Sequence, residues 1–376
     1  MDYLDDLIFR SGAEAYCLYA SSDEPDMRYL TRFVTHDPIP VIKKPGEKPI
    51  MIIPVMEAER AEQESVAQYL TRQQAGYQEI IASETDPYHI TAKMIHRCAQ
   101  GPIIVPPRFP LALARALEKT GQVILDKDAA IARMRSIKTK TEIDLITTAQ
   151  RAVESAMTQA TTLIKKSEIR DGILWYDGSQ LTSERVKYAI HVTLLAQGCT
   201  ARDTIVACGE DTAMPHCTGT GPLRSNQPIV IDIFPRSEAS GYHADMTRTV
   251  SKGRPSEKIC EIYDAVATAQ NLGENKVAAG VSGADCYQVV RDYFDQAGFR
   301  TDTEGFTHSL GHGIGLEIHE QPSLSPVGEE LKTGHVVTVE PGLYYRGIGG
   351  VRIENMGVVT QAGFDRLTTF SQEIIL

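Results

Sequence analysis

Pro228-Ile229-Val230-Ile231-Asp232-Ile233-Phe234 and Tyr242-His243-Ala244-Asp245-Met246-Thr247-Arg248-Thr249-Val250 are two strand-like runs, each carrying one carboxylate among apolar neighbours. A buried strand normally excludes Asp, because an unpaired charge there costs several kcal/mol unless it meets a counter-ion or a metal. If the runs pair antiparallel around Glu238-Ala239, Asp232 and Asp245 fall directly opposite, with Cβ atoms roughly 4.5–5.5 Å apart. Two acids that close repel unless a cation lies between them.

The same device returns further along. Val336-Val337-Thr338-Val339-Glu340 is an apolar strand ending in Glu, and Val351-Arg352-Ile353-Glu354 places Arg352 and Glu354 on one face. Between the two acid-bearing pairs lies Gly311-His312-Gly313-Ile314-Gly315, whose glycines would let backbone approach a ligand and whose imidazole supplies a nitrogen donor. A single Asp in a strand is usually a ladder-edge residue, and a single His in a glycine loop is usually structural. Four carboxylates and one His in this order instead suit two divalent ions about 3.5–4 Å apart. The oxygen-rich set favours manganese, cobalt or iron, with zinc as an alternative. His308, His319 and His216 are candidates for substrate hydrogen bonding and proton transfer, whereas His243 and His335 read as structural.

Outward from this core the chain organises into two parts. With 376 residues it exceeds what one hydrophobic core usually serves. Residues 1–130 alternate short apolar strands (15–19, 49–55, 102–105) with helical text such as 57–69, an α/β pattern. Residues 131–376 open with the capping box Thr139-Lys140-Thr141-Glu142 ahead of a long amphipathic helix. A second helix follows at about 181–197, then strand text and Met214-Pro215-His216. Helices at 256–277 and 282–298, followed by the His312 segment, repeat that order, as an internal duplication about a pseudo-twofold axis would require.

Composition narrows the function classes. Hydrophobic residues at 42% and charged residues at 23% describe an ordinary globular protein, and a net charge of −11 offers no attraction to a phosphate backbone, so nucleic acid is not an expected partner. The acidic N-terminus is followed by no long apolar stretch, so neither a signal peptide nor a membrane span is expected. Seven cysteines without a C-x-x-C pair fit reduced thiols in the cytoplasm.

At these motifs the chain resembles the pita-bread metallopeptidases, the family of methionine aminopeptidase, aminopeptidase P and prolidase. The resemblance rests on Met214-Pro215-His216, Gly241-Tyr242-His243-Ala244-Asp245-Met246-Thr247-Arg248-Thr249, the run from His308 through Gly311-His312-Gly313 to His319-Glu320, Val339-Glu340-Pro341-Gly342-Leu343-Tyr344 and Gly350-Val351-Arg352-Ile353-Glu354-Asn355. It implies an α/β creatinase-like N-terminal domain over residues 1–130 and an α+β pita-bread domain with a pseudo-twofold internal repeat over 131–376. It also implies that Asp232, Asp245, His312, Glu340 and Glu354 bind two metals, with Asp245 and Glu354 bridging. Glu340 would be the general base, His216 and His319 would meet the substrate, and His308 and Arg352 would support the site.

Asp26-Met27-Arg28-Tyr29-Leu30-Thr31 and Glu57-Ala58-Glu59-Arg60-Ala61 resemble the leading domain of prolidases, aminopeptidase P and creatinase. That resemblance implies a homodimer and a proline-containing dipeptide or short peptide as substrate. A metal-free scaffold and a creatinase-like amidinohydrolase are the alternatives, against which the complete ligand set counts. Two departures stand out: the hairpin from Asp232 to Asp245 is two residues longer than usual, and Asp171-Gly172-Ile173-Leu174-Trp175-Tyr176-Asp177-Gly178 replaces a shorter connection.

Overall fold

The computed structural model describes residues 3–376, and the chain divides into Met1–Arg135 and Ser136–Leu376. In the first unit β1 (Ala15–Ala20), β2 (Ile39–Lys43), β3 (Ile50–Ile53), β4 (Gln68–Thr71), β5 (Ile103–Val105) and β6 (Val123–Leu125) form one sheet in the order β4-β3-β2-β1-β5-β6. Side chains alternate across it. Tyr16 and Leu18 pack with Met27, Phe33 and Met51 on one face, while Ala15 and Cys17 pack with Ile52, Ile95 and Leu113 on the other. Burial on both faces is why these strands read as continuous apolar runs rather than alternating ones. The helix expected over 57–69 is shorter, Ala58–Glu64, because Gln68 and Tyr69 are claimed by the edge strand β4, which pairs parallel with β3.

The second unit begins with the helix Lys140–Lys166, where Thr139 and Glu142 form the expected reciprocal cap: the Glu142 amide donates to the Thr139 hydroxyl and the Thr139 amide to the Glu142 carboxylate. Ile146, Val153, Met157, Ala160 and Ile164 form its buried stripe. The Asp171-to-Gly178 departure is a meander of β7 (Glu168–Arg170), β8 (Ile173–Tyr176) and β9 (Ser179–Gln180). Its two turns are Asp171-Gly172 and Asp177-Gly178, all four residues at positive φ. Asp-Gly is the dipeptide that favours such two-residue turns, so the repeated pair was a readable hairpin signal.

The helix Ser183–Leu195 packs on Lys140–Lys166, and then β10 (Cys199–Thr200), β11 (Ile205–Cys208), β12 (Ile229–Ile233), β13 (Arg236–Ser237) and β14 (Met246–Val250) follow. The helices Glu257–Lys276 and Gly283–Gln296, capped by Ser256 and Ser282, pack together in the same way. They lead to β15 (Gly311–Gly313), β16 (Glu320–Leu324), β17 (Val336–Val339), β18 (Gly342–Tyr345), β19 (Gly349–Arg352), β20 (Asn355–Thr360) and β21 (Gly363–Arg366). The sheets β11-β12-β14 and β16-β15-β17-β20-β21 thus each follow a helix pair. No described helix is long and apolar enough to cross a membrane.

The β12–β14 register differs from expectation. Asp232 faces Thr247, and Asp245 lies two residues further, a diagonal rather than a directly facing neighbour. The reason is the tip. Gly241 adopts φ +80° and its amide donates to the Ser237 carbonyl, so it belongs to the loop and moves the centre to Ala239-Ser240. An L side chain in the left-handed region costs about 1–2 kcal/mol, so Gly241→Ala should lower unfolding stability by that amount in a urea titration. An unchanged midpoint would mean that the tip relaxes and does not hold the register.

Candidate active site

Three local features bring the acids together. On the first hairpin, Asp232 faces Thr247 across the ladder and Asp245 stands two positions before Thr247, which puts the three on one face. The second hairpin is interrupted: β17 pairs with β20 and β18 with β19 in one continuous register, and the break places Glu340 opposite Glu354. The two hairpins are fastened by the Glu354 amide donating to the Thr247 carbonyl (3.1 Å) and by Thr249, whose hydroxyl donates to the Arg352 carbonyl (2.9 Å). Fully buried Arg248 reinforces the seam by donating to the carbonyls of Thr247, Glu354, Phe370 and Ser371 and to Asn355 Oδ1.

His312 enters from β15. The space beside its flanking glycines is filled by protein and not by ligand: a Cβ on Gly311 would sit 2.0 Å from the Thr338 carbonyl oxygen, and one on Gly313 2.4 Å from that of Gln321. The glycines therefore serve close strand approach. His312 Nε2 lies 3.3 Å from Glu340 Oε1 and 3.8 Å from Asp245 Oδ2. Its Nδ1 donates to the Gly313 carbonyl at 3.1 Å, which turns Nε2 toward the acids. One ligand atom from each of Asp245, His312 and Glu354 lies within 4.8 Å of the others.

The electrostatics of this cluster are uneven. Burial and then the charges of Glu354, Asp232 and Glu340 push the Asp245 carboxyl well above its ordinary range. Burial followed by Glu340 and Asp232 raises Glu354 to about 8. Burial would raise Glu340 too, but its hydrogen bond to His312 and that ring's charge hold it down, at about 2. Burial, the largest single influence, lowers His312, yet the Glu340 hydrogen bond, the charges of Glu340 and Glu354 and the Gly313 carbonyl together outweigh it, so the imidazole titrates above its usual value. Asp232 Oδ2 accepts from Arg352 Nη2 at 2.6 Å, and Glu354 Oε2 accepts from the Thr247 hydroxyl at 2.9 Å.

The remaining oxygens, Asp232 Oδ1, Asp245 Oδ1 and Glu354 Oε1, are buried with no partner in the protein. Buried acceptors without donors are costly, and oxygens beside an imidazole nitrogen are the donor set a divalent cation satisfies. The residues therefore fit bound metal.

Beside this cluster lies a cavity of about 320 Å³ lined by His216, His308, His312, His319, Glu340 and Arg352. The His319 ring stands perpendicular to that of His312, with centroids 4.3 Å apart, and burial then the charge of His312 lower its pKa. His308 donates from Nδ1 to the Ser309 carbonyl at 2.7 Å, so its Nε2 accepts from Tyr344 Oη at 3.0 Å. Tyr344 Oη in turn accepts from Arg352 Nη1 at 2.9 Å.

Tyr344 and Thr247 were not among the expected site residues, although Thr247 lies two positions from Asp245 and Tyr344 closes the motif Val339–Tyr344 that carries Glu340. Thr338, whose hydroxyl contacts Glu340 and accepts from the His312 amide, likewise lies two positions from Glu340. His335 stands apart from the cluster: it accepts from the Lys332 amide, and burial with Lys138 and Lys332 lowers it to about 4. Burial and Arg236 lower His243 likewise, to about 4.

The sequence profile of metallopeptidase family M24 matches residues 144–361. The chain belongs to this family. It is therefore a metallopeptidase, and its fold is the α/β leading domain followed by the internally repeated α+β pita-bread domain. Among the relatives of this M24 chain, the Xaa-Pro dipeptidase of Pyrococcus furiosus is 34% identical over 250 residues, 66% of this chain and 67% of that protein. The Xaa-Pro dipeptidase structure from Bacillus anthracis superposes with a TM-score of 0.83 at 27% identity, covering 100% of this chain and 98% of the other. The X-Pro aminopeptidase structure from Thermotoga maritima gives 0.81 at 26% identity and covers both chains fully, 100% of each.

Proposed function

We propose that the protein is a dinuclear metal-dependent exopeptidase that hydrolyses the Xaa-Pro bond of dipeptides or short peptides. The observation carrying this reading is the set of three buried carboxylate oxygens without partners on Asp232, Asp245 and Glu354, the last two residues clustering with His312. Asp232, Asp245, His312, Glu340 and Glu354 would hold two divalent ions, manganese or cobalt by preference and iron or zinc otherwise. Bound there, the ions would supply Lewis-acid polarisation of the scissile carbonyl and a water acidic enough to be deprotonated near neutral pH.

Protein groups do the rest. Glu340, ionised and aimed by the Thr338 hydroxyl, would take the proton of the attacking water and pass it toward the leaving proline nitrogen. His319 and His216, both exposed on the cavity side, would donate hydrogen bonds to the oxygen that gains charge and to the substrate backbone. The chain from Arg352 through Tyr344 to His308 would keep the wall of the cavity rigid. Residues 1–130 would serve as the creatinase/prolidase-like domain of a cytoplasmic homodimer.

Chelated protein reconstituted with manganese or cobalt and assayed against Xaa-Pro dipeptides and Xaa-Pro-Xaa tripeptides in parallel tests this reading. Dipeptide cleavage alone identifies a dipeptidase, and tripeptide cleavage an aminopeptidase. No turnover of either would favour the metal-free scaffold. For His319→Ala, kcat should fall about 10²–10³-fold, the usual effect of removing one donor to a developing oxyanion, while metal content by atomic absorption stays at the wild-type level.

A further inference from the structure

A second cavity, of about 600 Å³, shares Pro215 and His216 with the catalytic one and is also lined by Tyr344, Thr303, Glu304 and Arg346. Tyr344 joins the two spaces, since its hydroxyl touches Arg352 and His308, which line the catalytic cavity, and Tyr344 itself lines the outer one. Arg346 stands just past β18 in the turn to β19, two residues after Tyr344, so its Cα lies no more than about 7 Å from that of Tyr344. A substrate running from the inner cavity into the outer one past Tyr344 would therefore need only one or two residues beyond proline to bring its end to Arg346.

The charges of this outer wall are unequal. Glu304 is engaged by Arg300 Nη1 at 3.1 Å. Arg352 on the inner wall is committed to Asp232, and Arg248 to backbone carbonyls. Arg346 makes no ion pair or side-chain hydrogen bond with any described residue, and it sits exposed at the β18–β19 tip facing the cavity. A guanidinium presents a planar fork matched to a carboxylate.

We infer that Arg346 binds the C-terminal carboxylate of a tri- or tetrapeptide, so that the outer cavity is a subsite for substrate beyond proline and the preferred substrates are longer than dipeptides. This rests on the Xaa-Pro peptidase reading above and specifies its substrate class.

The metal-loaded enzyme should be assayed with Ala-Pro, Ala-Pro-Ala, its C-terminal amide, Ala-Pro-Ala-Ala, and Ala-Pro-Asp amide. Wild type should favour the free-acid tri- or tetrapeptide over the tripeptide amide by tenfold or more in kcat/KM and should cleave Ala-Pro least well. Arg346→Gln should raise KM for the free acids about tenfold with kcat nearly unchanged, leave the amide unaffected, and be rescued in part by Arg346→Lys. Recovery of wild-type efficiency with Ala-Pro-Asp amide would reassign the preference to an acidic side chain and overturn the C-terminal claim. Equal effects of Arg346→Gln on acid and amide, or none, would overturn the subsite while leaving the peptidase reading intact. Failure of the wild type to cleave any of the five would overturn both.

Discussion

Asp245→Asn should leave the metal-free protein more stable than wild type while removing most of its peptidase activity. In the metal-free state Asp245 is crowded by Glu354, Asp232 and Glu340, and a neutral amide of the same shape relieves that repulsion. Activity moves the other way, because the several kcal/mol of charge stabilisation supplied by a metal centre correspond to roughly 10³ in rate. A linked pH dependence separates this from ordinary loss of packing. Glu354 titrates near 8 in the folded protein against an ordinary 4.5, so its folded form binds a proton more tightly than its unfolded form. The stability this confers is complete below about 4.5 and is lost as pH rises through 8.

Metal-free wild type should therefore melt progressively lower between pH 5 and pH 8. Divalent metal at 100 times its dissociation constant should add about 2.7 kcal/mol and flatten that slope. Asp245→Asn should show a shallower slope and little response to metal. A variant that is less stable without metal, or that still binds two ions by calorimetry, would remove Asp245 from the centre.

The second large effect concerns Arg352. It is buried and donates to Asp232 Oδ2 (2.6 Å), Tyr344 Oη (2.9 Å), Thr247 Oγ1 (3.2 Å) and the Pro215 carbonyl (3.3 Å). Arg352→Met strips the cationic partner from a buried carboxylate, a loss typically worth about 3–5 kcal/mol. Urea unfolding of the metal-free variant should register that cost. With metal present the penalty should shrink, because the added cations compensate the charge of Asp232. An identical penalty in both states would mean that Arg352 is a packing residue whose charge does not serve the acidic cluster.

Much of this architecture was legible from residue types. Charge is expensive inside a strand, so Asp232, Asp245, Glu340 and Glu354 stand out against their apolar neighbours, and the capping box before the helix Lys140–Lys166 announces its own start. The meander over residues 168–180 was equally readable in its two Asp-Gly pairs. Such signals are local: they depend on a residue and its immediate neighbours, and folding does not alter them.

Register and partnership are different in kind. A loop of undetermined length separates the carboxylates of the first hairpin, and the left-handed turn at Gly241 offsets Asp232 from Asp245 by two positions. The break after β17 that sets Glu340 opposite Glu354, the tight fit of Gly311 against Thr338, and the bridging of Arg352 and His308 by Tyr344 all join segments far apart in the chain. The amino-acid order thus marked which carboxylates would be costly to bury, since desolvation acts on each one where it stands. Which oxygens end within reach of one another emerged only on packing, because that depends on how two hairpins and a glycine-flanked strand dock.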